Sequence, residues 1–307
     1  MEACLLGIAL GDSLGLPMEG MKAARAAKLY GGPLRQRMFA GRGVLSDDTV
    51  MAVATLQALY RAPDDPDQFA AELAKRLRLW FWAIPPGIGL ATIKSCLRLS
   101  AGFGPKKSGV NSAGNGPAVR AVVLGCALAA EPAQRIKFIK ASTRVTHIHP
   151  LAEDGSQLAG LAASLATLGQ GANFPTISAE LCPAWPWSDS YPATGPTGYI
   201  VHTINAAFDC LANHPDDLPA VIREAVAMGG DTDSVAAIVG GIAGAGNPNS
   251  KVPAGWTSWL GWPQPRDLKL LAEGKSTRLP YERLVAQHAV SLALILPHGF
   301  RRLAPPY

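Results

Sequence analysis

"MGGDTDSVA", residues 228–236, decides how the rest of the chain is read. Asp231 and Asp233 follow a glycine pair at the mouth of an apolar stretch, and they are the only charged residues between Glu224 and Lys251. An unpaired carboxylate is costly to bury, so it gains a proton or finds a cation. Either these residues cap a helix at the surface or something positive sits on them. "LSDDTVMAVATLQAL", residues 45–59, repeats the design: Ser46, Asp47, Asp48 and Thr49 precede another apolar helix. Alone, each block reads as a helix cap, in which side-chain oxygens satisfy free N–H groups. Together they form a set of hard oxygens without Cys or His, which suits Mg²⁺ or Mn²⁺ and not zinc. Two metals need about this much negative charge, and a bridged pair activates water. Gly229 and Gly230 let backbone approach such a site closely.

The segments around these blocks have helical character. Ala- and Leu-rich stretches, longer than strands and bounded by caps, fall at about 3–14, 48–60, 67–82, 88–100, 117–130, 134–143, 152–168, 199–213, 218–227, 234–245 and 281–295. No alternating strand pattern stands out, and an all-α fold is predicted. Loops are expected around 31–45, 102–116, 171–198 and 246–265; the prolines of "CPAWPWSDSYPATGPTG" argue against regular structure in the third. Residues 1–265 are expected to form one compact catalytic domain, with 266–307 a helical extension packed on it.

The composition narrows the function classes. The 307 residues are 48% hydrophobic and 17% charged, a globular balance. The net charge of +5 is a mild bias toward anionic substrates, and the scattered basic residues argue against nucleic acid as a partner. Five cysteines, widely spaced and odd in number, read as reduced thiols of a cytoplasmic protein. The N-terminus lacks a basic leader pattern, and no charge-free apolar run reaches membrane-spanning length. No G-x-S-x-G elbow and no G-x-x-x-x-G-K-[ST] phosphate loop occurs, and "GNGPAV" lacks the βαβ context of a dinucleotide fingerprint.

The two acidic blocks, in this order and at this separation, resemble those of the ADP-ribosylglycohydrolases. The likeness extends over about 250 residues through "GIALGDSLGLPMEG" (7–20), "LSDDTVMA" (45–52), "SAGNGPAVR" (112–120), "THIHP" (146–150), "TGYIVHTINAAF" (197–208) and "GGDTDSVAAIVGGIAGA" (229–245). It implies a compact multi-helix domain with a dimetal cleft, the metals held by Ser46, Asp47, Asp48, Asp231, Asp233 and Ser234. Two Mg²⁺ ions are the implied cofactor, with Mn²⁺ as the alternative. The resemblance assigns catalysis to Glu19, Asp47 and Asp233, with Glu19 as acid/base or water-orienting group. Ser112, Gly114, Asn115 and Gly116 match a loop that holds diphosphate and ribose, where Gly-rich N–H groups suit an anion. His147 and Tyr199 match residues on the adenosine side; buried packing or a helix-end hydrogen bond explains either as well. Asp12 is expected to support the site and not to ligate metal. Ala113 stands where some members carry an aromatic that stacks on adenine.

The expected function is Mg²⁺-dependent removal of ADP-ribose from a modified target, with protein arginine as acceptor and ADP-ribose as product. Serine-linked or small-molecule conjugates are the alternative within the enzyme class. A non-catalytic ADP-ribose binder or structural relative is the alternative outside it, and the intact acidic set argues against it.

Overall fold

A computed structural model describes residues 1–171, 182–215, 217–258, 260–275 and 281–303, without the side chains of 39, 281–283, 301 and 302. The elements in chain order are α1 (Glu2–Gly15), a 3₁₀ turn (Leu16–Met18), β1 (Met21–Lys22), α2 (Ala23–Tyr30), a second 3₁₀ turn (Phe39–Gly41) within the expected loop 31–45, α3 (Asp47–Arg61), α4 (Pro66–Trp82), α5 (Leu90–Ser100) and α6 (Pro105–Ser108). They continue as α7 (Ala118–Ala127), α8 (Pro132–Thr146), α9 (Pro150–Thr167), α10 (Ile200–Asn213), α11 (Leu218–Ala227), β2 (Gly229–Gly230), α12 (Thr232–Gly246), α13 (Ala254–Thr257), α14 (Pro265–Ala272) and α15 (Tyr281–Leu303). The all-α reading holds.

The centre of the bundle is an antiparallel seam between α1 and α12, the most extensive helix contact in the fold. It is built from small residues one helical turn apart. A Cβ on Gly7 would lie 1.9 Å from the Gly240 carbonyl oxygen, and one on Gly11 equally close to that of Ala236. A Cβ on Gly15 would lie 2.5 Å from the Thr232 carbonyl oxygen. The two backbones therefore touch, and the Thr232 hydroxyl donates to the Gly15 carbonyl at 2.8 Å. Because the helices run antiparallel, the C-terminal end of α1 meets the N-terminal end of α12. That contact sets Asp12 beside the Asp231–Ser234 block.

Around the seam, α7 and α9 pack closely on one another, α3 packs on α1, α4 and α7, and α11 lies along α12. One core runs through all of these, from Leu5 and Ile8 to Leu56, Leu124, Phe138, Ile204 and Ile238. All five cysteines are free thiols. No helix among the described residues is long and apolar enough to cross a membrane.

Several elements differ from the sequence reading. The short strands Met21–Lys22 and Gly229–Gly230 pair antiparallel, Met21 opposite Gly230. Two-residue strands are too short for an alternating pattern, and one consists of glycines in the left-handed region (φ 74° and 71°). Helix α2 fully buries only Ala26, with Leu29 and Tyr30 partly buried at its end, so its apolar face is too short to read. The expected loops 102–116 and 246–265 each contain one four-residue helix, α6 and α13. In the expected loop 171–198, residues 172–181 lie outside the described residues, and 182–198 contain neither helix nor strand. The C-terminal segment holds α14, with a Gln264–Asp267 capping box and Leu268 and Leu271 buried in the core, and the 23-residue α15. Residues 276–280 and 304–307 of it lie outside the described residues.

Candidate active site

The site starts from Asp12, fully buried near the end of α1. Its carboxylate accepts the Ser46 backbone N–H at 3.0 Å on each oxygen, the Thr49 N–H at 3.2 Å and the Thr49 hydroxyl. It thus serves as an anchor for the N-terminus of α3, whose own free N–H groups suit an anion. Burial still raises the Asp12 carboxyl to about 6 against the pull of those hydrogen bonds. The Ser46 hydroxyl oxygen caps α3 by accepting from the Asp48 N–H at 3.2 Å.

Asp12 and Ser46 between them accept the N–H groups of Ser46, Asp48 and Thr49 at the start of α3, while Asp47 bonds its own N–H, so capping does not require the Asp48 carboxylate. Burial, then repulsion from Asp12, then Glu19 and Asp231, raises Asp47 to about 7. Asp48 is 7% exposed and held well above the ordinary range by burial and by Asp47, Asp12 and Asp231, although the Ser234 hydroxyl hydrogen-bonds to it. Asp233, 5% exposed, is raised by burial and by Glu19, Asp231, Asp48 and Asp12. Its Oδ1 is buried with no hydrogen-bond partner. Capping therefore explains Ser46, but not the second block: Asp231 is the N-cap of α12 and makes no capping hydrogen bond. Its Oδ2 instead accepts from the Asn115 side-chain amide at 2.7 Å.

The acidic blocks, nearly two hundred residues apart in sequence, thus meet in one electrostatic cluster with Asp12 and Glu19. Among the described residues, no group of three or more His, Cys, Asp or Glu side chains is arranged to hold a metal ion as it stands. The donor chemistry nonetheless suits a hard divalent cation. Carboxylates and hydroxyls converge, Asp233 offers an unpartnered oxygen, and burial followed by mutual repulsion raises Asp47, Asp48 and Asp233, a penalty that a bound cation would offset.

Glu19 is exposed on the turn after α1. The Gly20 N–H donates to the Gly230 carbonyl at 2.6 Å, and β1 pairs with β2 immediately after. The Glu19 turn is therefore tied to the glycine pair that opens the second acidic block. Gly230 is also packed from its other side: a Cβ there would lie 2.0 Å from the Pro196 carbonyl oxygen.

The expected nucleotide-binding segments join the same end of the fold. The Asn115 N–H donates to Gly198 and the Ile200 N–H to Ala113, both at 2.9 Å, and Gly114 pairs with Tyr199. Asn115 also donates to the Thr203 hydroxyl at 2.9 Å, so it links this loop to both α10 and Asp231. Ser112, Gly114 and Gly116 are half-buried along the loop. Tyr199 is half-buried and stands edge-on to His202, ring centroids 5.0 Å apart. His147 lies beneath the loop, 2% exposed, its Nε2 3.0 Å from where a Gly114 Cβ would be. Burial and then Arg120 lower it to about 3, so it is neutral. Its Nδ1 hydrogen-bonds to the Thr146 hydroxyl at 2.8 Å.

Two features escaped the sequence reading. Arg120 is 1% exposed and donates to the Ser142 hydroxyl and carbonyl and to the Thr146 hydroxyl. It lies within electrostatic reach of Asp47, and burial lowers its pKa to about 10. A single charge inside "AVRAVVLGCALAA" was its signal. Asn115, expected at the phosphates, also orients Asp231; its place in a Gly-rich loop gave no sign of that. A separate cavity of about 400 Å³, bordered by Leu59, Tyr60, Cys126 and Glu131, opens at the other end of α3, away from Asp47 and Asp48.

A helical bundle with paired acidic blocks at two helix N-termini, beside a glycine-rich loop, defines a class of hydrolase. The ADP-ribosylglycohydrolase family model matches residues 1–285, and the chain belongs to that family, hydrolases of ADP-ribosyl glycosidic bonds. It is 27% identical over 273 residues to the ADP-ribosyl-[dinitrogen reductase] glycohydrolase of Rhodospirillum rubrum, covering 86% of this chain and 91% of that one. It is 32% identical over 190 residues to the ADP-ribosylhydrolase ARH3 of Gallus gallus, which covers 55% of this chain and 50% of that protein. A solved structure titled ADP-ribosylglycohydrolase-related protein complex superposes with a TM-score of 0.68 at 25% identity, covering 94% of this chain and 97% of its own.

Proposed function

We propose that the chain is a Mg²⁺-dependent ADP-ribosylhydrolase that releases ADP-ribose from a modified protein, with arginine as the acceptor. One observation carries the reading: Asp47, Asp48, Asp231 and Asp233 converge on one cluster in which Asp233 Oδ1 is buried and unpartnered. Ser46, Asp47, Asp48, Asp231, Asp233 and Ser234 are the residues that would hold two divalent cations. Such ions, when bound, polarise the sugar and activate water.

The chain's own groups would do the rest. Asn115 fixes the Asp231 carboxylate through its amide. The backbone of Ser112–Gly116 receives the diphosphate, and Tyr199 receives the adenine. Glu19, exposed beside Asp47 and Asp233, takes up or delivers the proton at the glycosidic bond. Protein-bound ADP-ribose as substrate draws on the R. rubrum relative, whose match spans most of both chains.

The test is incubation with arginine-linked and serine-linked ADP-ribosylated proteins, with Mg²⁺, with Mn²⁺ and with chelator. Metal-dependent release from the arginine-linked protein is expected. Release from the serine-linked protein alone would move the acceptor, and ADP-ribose binding without release from either would leave a binding protein.

A further inference from the structure

Helix α15 lies mostly beyond the family match, which ends at residue 285, yet it reaches back to the Glu19 turn. Leu294 and Ile295 pack on a small apolar cluster of Leu16, Met38 and Val44, separate from the main core. Leu16 opens the 3₁₀ turn that delivers Glu19. One helical turn further, His298 is 6% exposed, and its Nε2 lies 2.8 Å from the Pro17 carbonyl oxygen. A carbonyl only accepts, so Nε2 carries the proton and donates. The Tyr30 hydroxyl lies beside the same imidazole, 3.1 Å from Nε2 and 3.4 Å from Nδ1. The Tyr30 ring stacks on the imidazole, with centroids 5.6 Å apart and planes 11° from parallel. Tyr30 ends α2, which follows β1, so the ring is fixed by the segment on the far side of Glu19. At the other end of α15, His288 donates to the Ala83 carbonyl at 2.7 Å and Gln287 to that of Trp262 at 2.8 Å. The helix is thus moored to the body at points well away from the turn.

We propose that His298 is a positioning residue for Glu19, and that α15 is the brace through which it acts. The inference rests on the catalytic reading of Glu19. On the α12 side, Glu19 is held by the Gly20–Gly230 hydrogen bond. On its outer side, the turn is met by α15 through His298 and the Leu294–Ile295 contact. The turn that carries Glu19 is thus met on both sides, and a misplacement of about 1 Å costs about 10²-fold in rate. The brace therefore acts on kcat and leaves nucleotide affinity nearly unchanged, because the group it orients transfers a proton and is not a contact to the nucleotide.

The experiment uses the full chain with saturating Mg²⁺ and an arginine-linked ADP-ribosylated protein. It compares wild type, His298→Ala, His298→Gln, Glu19→Gln and the Glu19→Gln/His298→Ala double variant. His298→Ala is expected to lower kcat by about tenfold or more, and to change ADP-ribose affinity by less than about twofold, since only the chemical step is touched. Amide exchange should accelerate in residues 16–22 and stay unchanged in α12. His298→Gln, which keeps an N–H donor at similar reach, should recover most of the rate. In the Glu19→Gln background, His298→Ala should cost nothing further, because residues acting as a unit are not additive. If His298→Ala loses its thermal transition, Tyr30→Phe, which removes only the hydroxyl beside the imidazole, decides: a smaller loss in the same direction supports the brace, and no loss overturns it. A slow Glu19→Gln beside a fast His298→Ala, or an equal His298→Ala loss in both backgrounds, overturns the brace and leaves the Glu19 reading standing. A Glu19→Gln variant as fast as wild type overturns the Glu19 reading, and the brace falls with it.

Discussion

Asp47→Asn should stabilise the metal-free protein at neutral pH, which is the reverse of what its position suggests. A carboxylate in the first turn of a helix ordinarily gains about 0.3–1 kcal/mol from the helix dipole, so an amide there should cost that much. Asp47 occupies that turn in α3. Burial and the charges of Asp12, Glu19 and Asp231 nonetheless raise its carboxyl from 3.8 to about 7. At about 1.4 kcal/mol for each tenfold change in proton affinity, that rise is worth about 4 kcal/mol against the ionised form at high pH. Protonation shared with neighbouring carboxylates reduces what one substitution recovers to about 1–3 kcal/mol, still larger than the dipole effect.

The sign with pH follows from linkage. Between about 4 and about 7 the folded protein holds more protons at this carboxyl than the unfolded chain, so stability falls as pH rises through that window. Asn cannot titrate. In chelator, the variant and wild type should therefore be similar in stability near pH 4 and diverge up to about pH 7, with the variant melting about 2–6 °C higher. With Mg²⁺ in excess, the order should reverse at pH 7.5, because a cation that binds only the folded protein stabilises wild type by mass action. Thermal melts over this pH range, with and without metal, are the assay. A variant less stable than wild type in chelator at pH 7.5 would refute the repulsion argument. A wild type that gains nothing from Mg²⁺ would refute the metal site.

Three further outcomes are expected. Glu19→Gln should keep ADP-ribose and Mg²⁺ binding while hydrolysis falls by about 10²–10⁴-fold, the usual contribution of a proton-transfer group; initial rates at saturating Mg²⁺ check it. Tyr199→Ala should weaken ADP-ribose binding in calorimetry more than it lowers kcat, since contact with a remote base is mostly uniform binding; unchanged affinity would make Tyr199 packing alone. Gly11→Ala places a methyl 1.9 Å from the Ala236 carbonyl oxygen, so the α1–α12 seam must open and denaturant melts should show a loss of at least about 1–3 kcal/mol.

The helices and the acidic blocks were legible because each carries its signal locally. Ser46-Asp47-Asp48 and Asp231-Thr232-Asp233-Ser234 stand at helix starts, and composition alone suggested hard-oxygen chemistry. What could not be read was which hydrogen bonds each carboxylate makes, since the partners come from elsewhere in the chain. Capping looked equally apt for both blocks, but only Ser46 caps, whereas Asp231 turns to Asn115. The close approach of α1 and α12 was written in Gly7, Gly11 and Gly15, spaced one turn apart, but that spacing has meaning only once the facing helix is known. Arg120 and the reach of α15 to Pro17 are tertiary facts, joining residues with no local pattern in common.

Two buried aspartates differ in hydrogen bonding and not in burial, and on the proposed reading that difference divides a scaffold carboxylate from a cation ligand. Asp12 and Asp233 lie at the same end of the α1–α12 seam and both are desolvated. Asp12 spends both oxygens on the Ser46 and Thr49 N–H groups and the Thr49 hydroxyl, whereas Asp233 has an oxygen with no partner. A saturated carboxylate has little left for a cation, and an orphaned one needs it. Asparagine should therefore act oppositely at the two positions. Asp12→Asn replaces one accepting oxygen with an N–H₂ group that faces backbone donors, a mismatch worth about 1–3 kcal/mol when buried. Asp233→Asn removes no hydrogen bond made by Oδ1. The comparison is made in chelator at pH 7.5, above the Asp12 value of about 6, where Asp12 is ionised and accepts on both oxygens and where either asparagine removes one charge from the cluster. There Asp12→Asn should melt lower than Asp233→Asn, while added Mg²⁺ should still bind the folded Asp12 variant and bind Asp233→Asn far more weakly. Equal melting temperatures for the two variants would mean that the Asp12 hydrogen bonds do not hold the start of α3, and the division between scaffold and ligand would fail.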